Sequence, residues 1–512
     1  MGEKIRKIGK TLTGIVFFTI IGKILGFFRE LILSYYFGAT GITDAYLISQ
    51  TIPGTIFQFV GTGLTTCFIP IYFKILKKSS KQEVDKFTNK IISLIFLFST
   101  VVIMLVWFNT PLIIKLFASG FQGETLEYAI WFTRIGIIGL YFSTLIYVYN
   151  SYLQANEIFV PTAFSTIPNS IFIIFSIIVG AKYNIYFLSI GSTLAVLIQL
   201  LFLIYPIRKL KFKLKPNFNF EDTYIKEFFL LMVPVIIGVS VNEINILIDR
   251  TIASQLIVGG ISALTYANSL IMFVQGGLIQ PISTICYPKI THAISKGNKD
   301  EAKIFIQKTI ILALTVLIPL TVGFIVFGTP IIQLLFGRGA FDKNAVAITS
   351  KAVKFYAIGL CFIGLRELLS RYYYAYSNTK IPMINAAIGV IMNIVMNILF
   401  SKILGIGGLA FSTSLSAFIT TVLLFRNCKN KLPGGSLELD ILEILKIIAC
   451  SVIMGMVSFG VYSILPFSII INLFISVILA IIIFFVFSMI FRLNYINIVK
   501  VFVNKNEKVV NI

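Results

Sequence analysis

The sequence contains a single histidine among its 512 residues, and this scarcity narrows the chemistry open to it. His292 lies beside Lys289 and Lys296 at a predicted helix end, where we expect a solvated side chain rather than a general base. The five cysteines have no metal-ligand spacing, and no phosphate-binding glycine loop or nucleophile elbow is present. These absences argue against an enzyme.

Charged residues are also scarce, at 12% of the chain against 57% hydrophobic residues, which excludes a soluble globule. A membrane-spanning helix needs about 20 mostly apolar residues. The basic N-terminus "MGEKIRKIGKTLTG" has no cleavage site after it, so we expect a retained first helix. The sequence predicts an all-α polytopic membrane protein with about 14 transmembrane helices. Their expected centres are Thr19, Ile56, Phe98, Leu140, Ile171, Leu194, Ile237, Met272, Leu314, Leu360, Val390, Leu415, Val457 and Ile478.

Acidic residues are half as frequent as basic ones, 21 against 43, which gives a net charge of +22. The basic residues are concentrated in alternate loops, as the positive-inside rule expects, so both termini are predicted to be cytoplasmic. A nucleic-acid-binding surface would need exposed basic and stacking side chains. Here the aromatic residues lie inside the apolar runs, so we expect no nucleic-acid partner.

The sequence also repeats itself at an offset of 218 positions, which aligns Pro70 with Pro288 and Glu83 with Glu301. Chance similarity between apolar helices explains aligned Ile and Leu, but it explains aligned Pro and Glu poorly. We therefore predict two parallel six-helix repeats around a central cavity, a common plan among transporters. The predicted domains are an N-terminal bundle (1–206), a basic cytoplasmic linker (207–223), a C-terminal bundle (224–428), and two additional helices with a cytoplasmic tail (429–512).

Several charged residues fall inside the predicted spans, where a cation costs about 2.5–3.5 kcal/mol on insertion scales. They should therefore face water or the protein interior. One interpretation is a substrate cavity lined by the first helix of each repeat. The alternative is that the charges only pair with each other as packing contacts between helices. The basic members are Lys23, Arg29, Arg134, Arg250 and Arg366, and the acidic members are Glu30, Asp44, Glu243, Asp249 and Glu367.

Several segments together resemble the MurJ (MviN) family of lipid II flippases, within the larger group that includes polysaccharide exporters and multidrug antiporters. The segments are "GKILGFFRELILSYYFGATGITDAYL" (22–47), "CFIPIY" (67–72), "LFASGF" (116–121), "YLQAN" (152–156), "LLFGRGAFD" (334–342) and "YYYAYSNTKIP" (372–382). The resemblance implies an inner-membrane protein whose cationic cavity binds the diphosphate of an undecaprenyl-linked glycan and moves it by alternating access. Lys23 and Arg29 match the family's basic pair, and Asp44 matches its acid.

The chain departs from the family at two positions where a cation is usual. "GTIFQF" (54–59) follows the "IP" of the second helix, and Ser269 lies in "YANSLIMF". Arg250 or Arg134 is the candidate replacement. The missing cations leave two alternatives open, a flippase for another lipid-linked polysaccharide unit and a drug or cation antiporter.

The resemblance also implies a possible sodium site, matched here by Asp249, Asn393, Asn397 and Thr413. Oxygen ligands suit a hard cation, whereas hydrogen bonding between helices is the alternative explanation for the two asparagines. Sodium or proton coupling is expected, with no other cofactor. The expected partners are the lipid-linked glycan and membrane lipids, and the sequence predicts no particular oligomeric state.

Overall fold

The computed structural model describes residues 2–219, 221–431 and 437–493, with the backbone alone at 2–12, 242 and 429–431. Within these ranges the chain forms helices and no strand. The helices are α1 (Gly2–Phe37), α2 (Gly41–Lys78), α3 (Lys81–Phe108), α4 (Thr110–Phe117), α5 (Gly123–Ile137), α6 (Leu140–Ala155), α7 (Val160–Phe164), α8 (Thr166–Lys182), α9 (Phe187–Lys209), α10 (Thr223–Leu256), α11 (Gly260–Ser295), α12 (Lys299–Leu335), α13 (Lys343–Ala375), α14 (Lys380–Leu404), α15 (Ile406–Lys431), α16 (Ile441–Ile464) and α17 (Ile469–Ile490).

The number of long apolar helices is compatible with the predicted 14 spans. In the described part of the chain, 12 helices are long and apolar enough to cross a membrane. A thirteenth candidate is the pair α5 and α6, which is bent by 43° around Ile138 and Gly139. Helix α1 also has sufficient length, but it carries Lys23, Arg29 and Glu30 within about two turns of its apolar segment.

Helix α17 illustrates how these sequences fit a bilayer. Its buried positions include the polar residues Asn472, Ser476 and Ser488, whereas Phe474 and Met489 are largely exposed. A helix surrounded by hydrocarbon places its large apolar side chains outward, and its small or polar side chains pack against neighbouring helices. The exposed apolar surface is therefore the surface expected to face lipid.

The predicted repeat is visible in the helix positions. Helices α3 and α12 begin at Lys81 and Lys299, and helices α10 and α16 begin at Thr223 and Ile441, with the same shift of 218 residues. Asp222 and Asp440 precede α10 and α16, and each accepts a hydrogen bond from a backbone amide of its helix. The two repeats therefore have the same helix order. The helices that follow them, α10 and α16, are capped in the same way.

The described chain divides into two compact units. The first ends at Ser262 and also contains Gly339–Phe341, and the second contains Ala263–Arg338 and the described residues from Asp342 onward. Helix α10, which begins the second sequence repeat, belongs to the first unit and packs there against α2. In the second unit, α15 packs between α13 and α14. This compact division is different from the domains that the repeat predicts.

The linker before α10 is held along α3, which fixes where α10 begins. The side-chain amide of Asn89 donates to the carbonyl of Lys213 and accepts from the amide of Lys215. Lys90 then pairs with Asp222 at 2.9 Å, and Asp222 also caps α10. Because an acid at a helix N-terminus satisfies a free backbone amide, this contact sets the start of α10 and hence the register of its charged residues.

Candidate functional site

The candidate site is a cluster of charged residues on α1, α2 and α10, all within the first unit. Its centre is Glu30, which is buried and forms an ion pair with Arg29 at 2.9 Å. Consecutive residues lie about 100° apart around a helix, so their side chains do not face each other and this pair is not held by helix geometry. The second carboxylate oxygen of Glu30 is buried without a hydrogen-bond partner.

Arg29 keeps part of its surface available despite this ion pair. Its side chain is 36% exposed, whereas that of Glu30 is only 8% exposed. Lys23, two turns earlier on α1, is exposed. Exposed cations on a membrane-embedded helix are costly unless they face water or bind an anion. Both basic side chains of α1 therefore keep accessible surface at which an anion could bind.

Polar residues of α2 and α9 support the Arg29–Glu30 pair from the interior. Tyr46 is buried close enough to both charges to interact with them, and its hydroxyl contacts Ser192 of α9. Gln50 donates to the same serine hydroxyl at 2.9 Å. These contacts connect the surroundings of the Arg29–Glu30 pair to α9 through polar groups.

Asp44 accepts two backbone hydrogen bonds and is almost fully buried. Its two oxygens receive the amides of Gly259 and Ser262, each at 2.7 Å. Gly259 has a φ of 84°, and a Cβ at that position would collide with the carbonyl of Ala39, so glycine is required for this approach. Asp44 thus joins the start of α2 to the start of α11, and both of its oxygens are already engaged.

Arg250 of α10 is the second guanidinium of the cluster. Its Nη1 donates to the carbonyl of Leu47 at 3.2 Å, which ties α10 to α2. Four carboxylates lie within electrostatic range of it, those of Asp44, Glu30, Asp249 and Glu243. Glu30 therefore interacts with arginines from the first helices of both sequence repeats.

Glu243 meets α2 in the segment that departs from the family pattern. Its Oε2 accepts a hydrogen bond from Thr55 at 3.0 Å, and the carboxylate is buried. Thr55 lies in "GTIFQF", where the family usually has a cation. A neutral hydroxyl, and not a cation, is thus the hydrogen-bond partner that this segment gives to Glu243. Ser269, the other departure, is half-buried on α11 in the second unit.

Arg134 lies in different surroundings from Arg29 and Arg250. Its guanidinium carbon is 6.0 Å from the ring of Trp107 and 5.7 Å from that of Trp131. These are the two tryptophans of the chain, and both rings are partly exposed. Arginine over indole faces is a cation–π arrangement, and tryptophan favours the membrane boundary.

Three of the four residues predicted to hold sodium meet in the second unit. Asn393 donates to the hydroxyl of Thr413 at 3.3 Å, and Asn397 donates to the side-chain oxygen of Asn393 at 2.8 Å. Asp249 belongs to the first unit. The oxygens present are of the type a hard cation takes. Two of them already accept protein donors, so a cation would have to replace these hydrogen bonds.

Comparison with known proteins gives this arrangement its context. A family model described as "Lipid II flippase MurJ" matches residues 33–489. A curated relative named "Probable lipid II flippase MurJ", from Buchnera aphidicola subsp. Baizongia pistaciae, is 30% identical over 424 residues, which is 81% of this chain and 82% of the relative. The chain belongs to the lipid II flippase MurJ family. It is accordingly a multi-pass membrane protein of a transporter family. Arg250 and Asp44 lie within the matched range, and Lys23 and Arg29 precede it.

Solved structures agree with the family assignment. A structure titled "Lipid II flippase MurJ, inward closed conformation" has a TM-score of 0.82 and 29% sequence identity, covering 94% of this chain and 99% of that chain. An inward-facing multidrug resistance MATE family transporter of the MOP superfamily has a TM-score of 0.64 at 14% identity, covering 79% of this chain and 93% of that chain. The latter similarity establishes a shared fold alone.

The sequence did not reveal which partners these charges take. As packing contacts, the sequence suggested Lys23 with Glu30 and Asp249 with Arg250. Glu30 forms its ion pair with Arg29, and Asp249 is one of four carboxylates in range of Arg250. Thr55, Tyr46 and Ser192 were not predicted as part of the site. The signal available for Thr55 was a hydroxyl in the segment where the family's cation is missing. The contact of Asp44 with Gly259 spans 215 residues and has no local signal.

Proposed function

We propose that the protein moves lipid II, an undecaprenyl-diphosphate-linked precursor of peptidoglycan, outward across the bacterial cytoplasmic membrane by alternating access. Family membership over most of the chain supports the substrate class and the transport mode. The observation that carries the proposal for the site is the partly exposed Arg29 beside Glu30, with Arg250 in range of the same carboxylate.

The diphosphate of the substrate would take the place of Glu30 as the partner of Arg29. A guanidinium binds phosphate oxygens through paired N–H donors, and charge-assisted hydrogen bonds of this kind are strong. When Arg29 turns to the diphosphate, Glu30 keeps the attraction of Arg250, which offsets part of the cost of separating the buried pair. Glu30 would then act as a resident anion that holds Arg29 in place between transport cycles.

Lys23 and Asp44 have different roles in this proposal. Lys23 is exposed on the same helix, and its flexible ammonium would approach a second phosphate or the sugar-linked oxygen. Asp44 would position α2 and α11 through their backbone amides rather than contact the substrate. For Arg134, the two indoles favour a role as a membrane-boundary anchor, and its predicted role as a substrate cation is tested by R134Q.

An ion gradient or the membrane potential would reset the cycle. Moving one charge across 100 mV is worth about 2.3 kcal/mol. Sodium, if it couples, would be held by oxygens of Asn393, Asn397 and Thr413 with a contribution from Asp249. Replacing sodium by choline in a reconstituted assay should then slow flipping in the wild type and leave T413A unchanged.

We also propose that both termini lie in the cytoplasm, on the side of the basic loops.

Rescue of depleted cells tests the substrate. The gene is expressed in a bacterium whose own lipid II flippase can be switched off, with membrane insertion checked by immunoblot of the membrane fraction. We expect growth and normal cell shape. Insertion at wild-type levels without rescue would contradict the proposed substrate. The R134Q variant, assayed in parallel, should also rescue if Arg134 serves as an anchor.

A flippase for another lipid-linked polysaccharide unit is the second candidate. The segment "GTIFQF" favours it, because the resemblance places a cation there and the segment has none, its Thr55 pairing with the acid Glu243 instead. A competition assay separates the two candidates. Purified protein would bind fluorescent lipid II, and unlabelled undecaprenyl-diphosphate-linked oligosaccharides without the peptide would compete. Stronger competition by the latter than by lipid II would favour the second candidate.

A further inference from the structure

An apolar groove runs along the surface of the first unit between α1, α7 and α9, away from the charged cluster. Its volume is about 750 Å³. Aromatic rings form its wall, since Phe164 makes edge contacts with Phe18 at 5.3 Å and with Phe202 at 5.8 Å. Phe202 and Leu201 are about half exposed. Among the side chains that the structure describes, these residues therefore form a contiguous apolar surface.

One end of this groove is basic. Lys209, the last residue of α9, lines it, and its ammonium lies 4.6 Å from the ring centroid of Tyr205. The ion pairs of the described residues do not include Lys209. Arg208 directly precedes it, and the exposed Lys211 and Lys213 follow it. A cation with an aromatic ring beneath it, at the mouth of an apolar groove, complements an anionic head group with a hydrocarbon chain.

The length of the groove matches a single leaflet of the membrane. From Leu201 to Lys209 along α9, a rise of 1.5 Å per residue gives about 12 Å. The hydrocarbon of one leaflet is about 15 Å deep, half of the 30 Å core. The basic end lies on the side that the charge distribution predicts to be cytoplasmic. An acyl chain of a phospholipid fits this depth, whereas a polyprenyl chain of undecaprenyl length would extend well beyond it.

We infer that this groove binds one anionic phospholipid of the cytoplasmic leaflet, with an acyl chain against Phe164 and Phe202 and its phosphate at Lys209. Basic residues directly beside a transmembrane helix attract anionic lipids with about 1 kcal/mol per residue. The aromatic walls add contact with the chain that a flat helix surface lacks. This inference does not rest on the proposed transport function. It concerns α1 at Phe18, which lies about three turns along the helix from the Arg29–Glu30 pair.

Ordinary boundary lipid is the competing explanation, since a lysine at a helix end often extends to the membrane surface without binding a particular lipid. Selectivity for head-group charge separates the two explanations. Tryptophan quenching by lipids with brominated acyl chains measures it at a chosen site. Because the chain has two tryptophans, the reporter F202W is introduced into a W107F/W131F background. The full-length protein is reconstituted in mixtures of brominated phosphatidylglycerol or brominated phosphatidylcholine with unbrominated lipid.

We expect phosphatidylglycerol to quench the F202W reporter with about five-fold higher apparent affinity than phosphatidylcholine. The K209Q variant should remove this preference, and K213Q, which neutralises an exposed linker lysine outside the groove, should preserve it. A second reporter, F175W, lies on α8 at an exposed position outside the groove and should show no preference.

Two results would overturn the inference. Equal quenching of F202W by the two brominated lipids would identify the groove as ordinary lipid-facing surface. Quenching by both lipids that is relieved only by added undecaprenyl phosphate would assign the groove to a polyprenyl chain instead. Because K209Q lies outside the transport site proposed above, its flipping activity and rescue can be measured separately, so failure here is distinguishable from failure of the proposed function.

Discussion

Each of the two units buries a polar cluster between its helices, and one cluster is ionic whereas the other is neutral. In the first unit, Arg29 and Arg250 surround Glu30, one of whose oxygens has no hydrogen-bond partner. In the second unit, Asn393 and Thr413 join α14 to α15 through neutral hydrogen bonds. Neutral hydrogen-bond partners gain little free energy by exchanging each other for a charged ligand. Charged groups with an incomplete set of partners can exchange them for a charged ligand, so the ionic cluster is the better candidate for transport.

The surrounding packing reinforces this difference. In the second unit, Ser414 donates to the carbonyl of Phe355, Ser416 to that of Gly389, and Thr421 to that of Phe362. Small hydroxyl residues that bond to neighbouring backbones allow helices to approach closely in a membrane. In the first unit, the corresponding contacts of the cluster pass through long charged side chains that can change rotamer. The second cluster therefore resembles a set of contacts that hold neighbouring helices together.

The largest effect is expected from R250A. This change removes the arginine that interacts with both Glu243 and Glu30, while Glu30 keeps its ion pair with Arg29. Breaking a buried ionic network by removing one partner costs on the order of 3 kcal/mol. We expect a lower apparent melting temperature in detergent and loss of flipping. The R250K variant, which keeps the charge but loses the forked donor, should recover stability more than activity, and equal recovery of both would argue that Arg250 only supports the fold.

A smaller loss of stability is expected from D44N. An asparagine can accept one of the two amides of Gly259 and Ser262, while its NH₂ group would face the other donor. Losing a hydrogen bond to a buried charge costs about 2 kcal/mol. Differential scanning fluorimetry would measure the shift, with E124Q at an exposed first-turn position of α5 as the control. A wild-type melting temperature for D44N would show that Asp44 does not hold these segments together.

The variant E30Q tests whether Glu30 competes with the substrate. It keeps the shape of the side chain and removes the negative charge that Arg29 now binds. Because Arg29 is partly exposed, its pair with Glu30 is worth about 1 kcal/mol or less. We therefore expect up to about five-fold tighter binding of undecaprenyl diphosphate in E30Q. Weaker binding would mean that Glu30 orients Arg29 for the ligand rather than competing with it.

The smallest effect is expected from N397A in the second unit. Side-chain hydrogen bonds in membrane helices are worth about 0.6 kcal/mol on average, so the hydrogen bond from Asn397 to Asn393 should contribute little to stability. We expect a small drop in melting temperature and flipping that no longer responds to sodium. Complete loss of flipping both with and without sodium would show that the second cluster is as important for transport as the first.

Much of the fold could be predicted from the sequence because apolar runs of sufficient length are a strong local signal. All of the predicted span centres, from Thr19 to Ile478, fall inside helices. The bend between α5 and α6 was not predicted. In the second repeat the equivalent stretch is the unbroken α13, so hydropathy alone does not locate a break. In the structure, the 218-residue repeat is seen in the first residues of corresponding helices and in the capping acids Asp222 and Asp440.

The candidate site was only partly predictable, for physical reasons. Intramembrane charges are rare, so Arg29, Asp44 and Arg250 stand out in the sequence. Their partners depend on tertiary packing, and the amides that Asp44 binds lie more than 200 residues away. Arg134 appeared equivalent to Arg250 in the sequence, and it lies beside two indoles instead. Charge content was thus informative, while the assignment of a role required the three-dimensional contacts.

The most direct test of the central claim is the initial rate at which reconstituted protein flips fluorescent lipid II in proteoliposomes. The comparison is between the wild type, R29A, and K86A, which removes an exposed lysine paired with Glu83 on α3. If Arg29 binds the diphosphate, R29A should flip on the order of 100-fold more slowly at unchanged expression and melting temperature, and K86A should match the wild type. A wild-type rate for R29A would contradict the account.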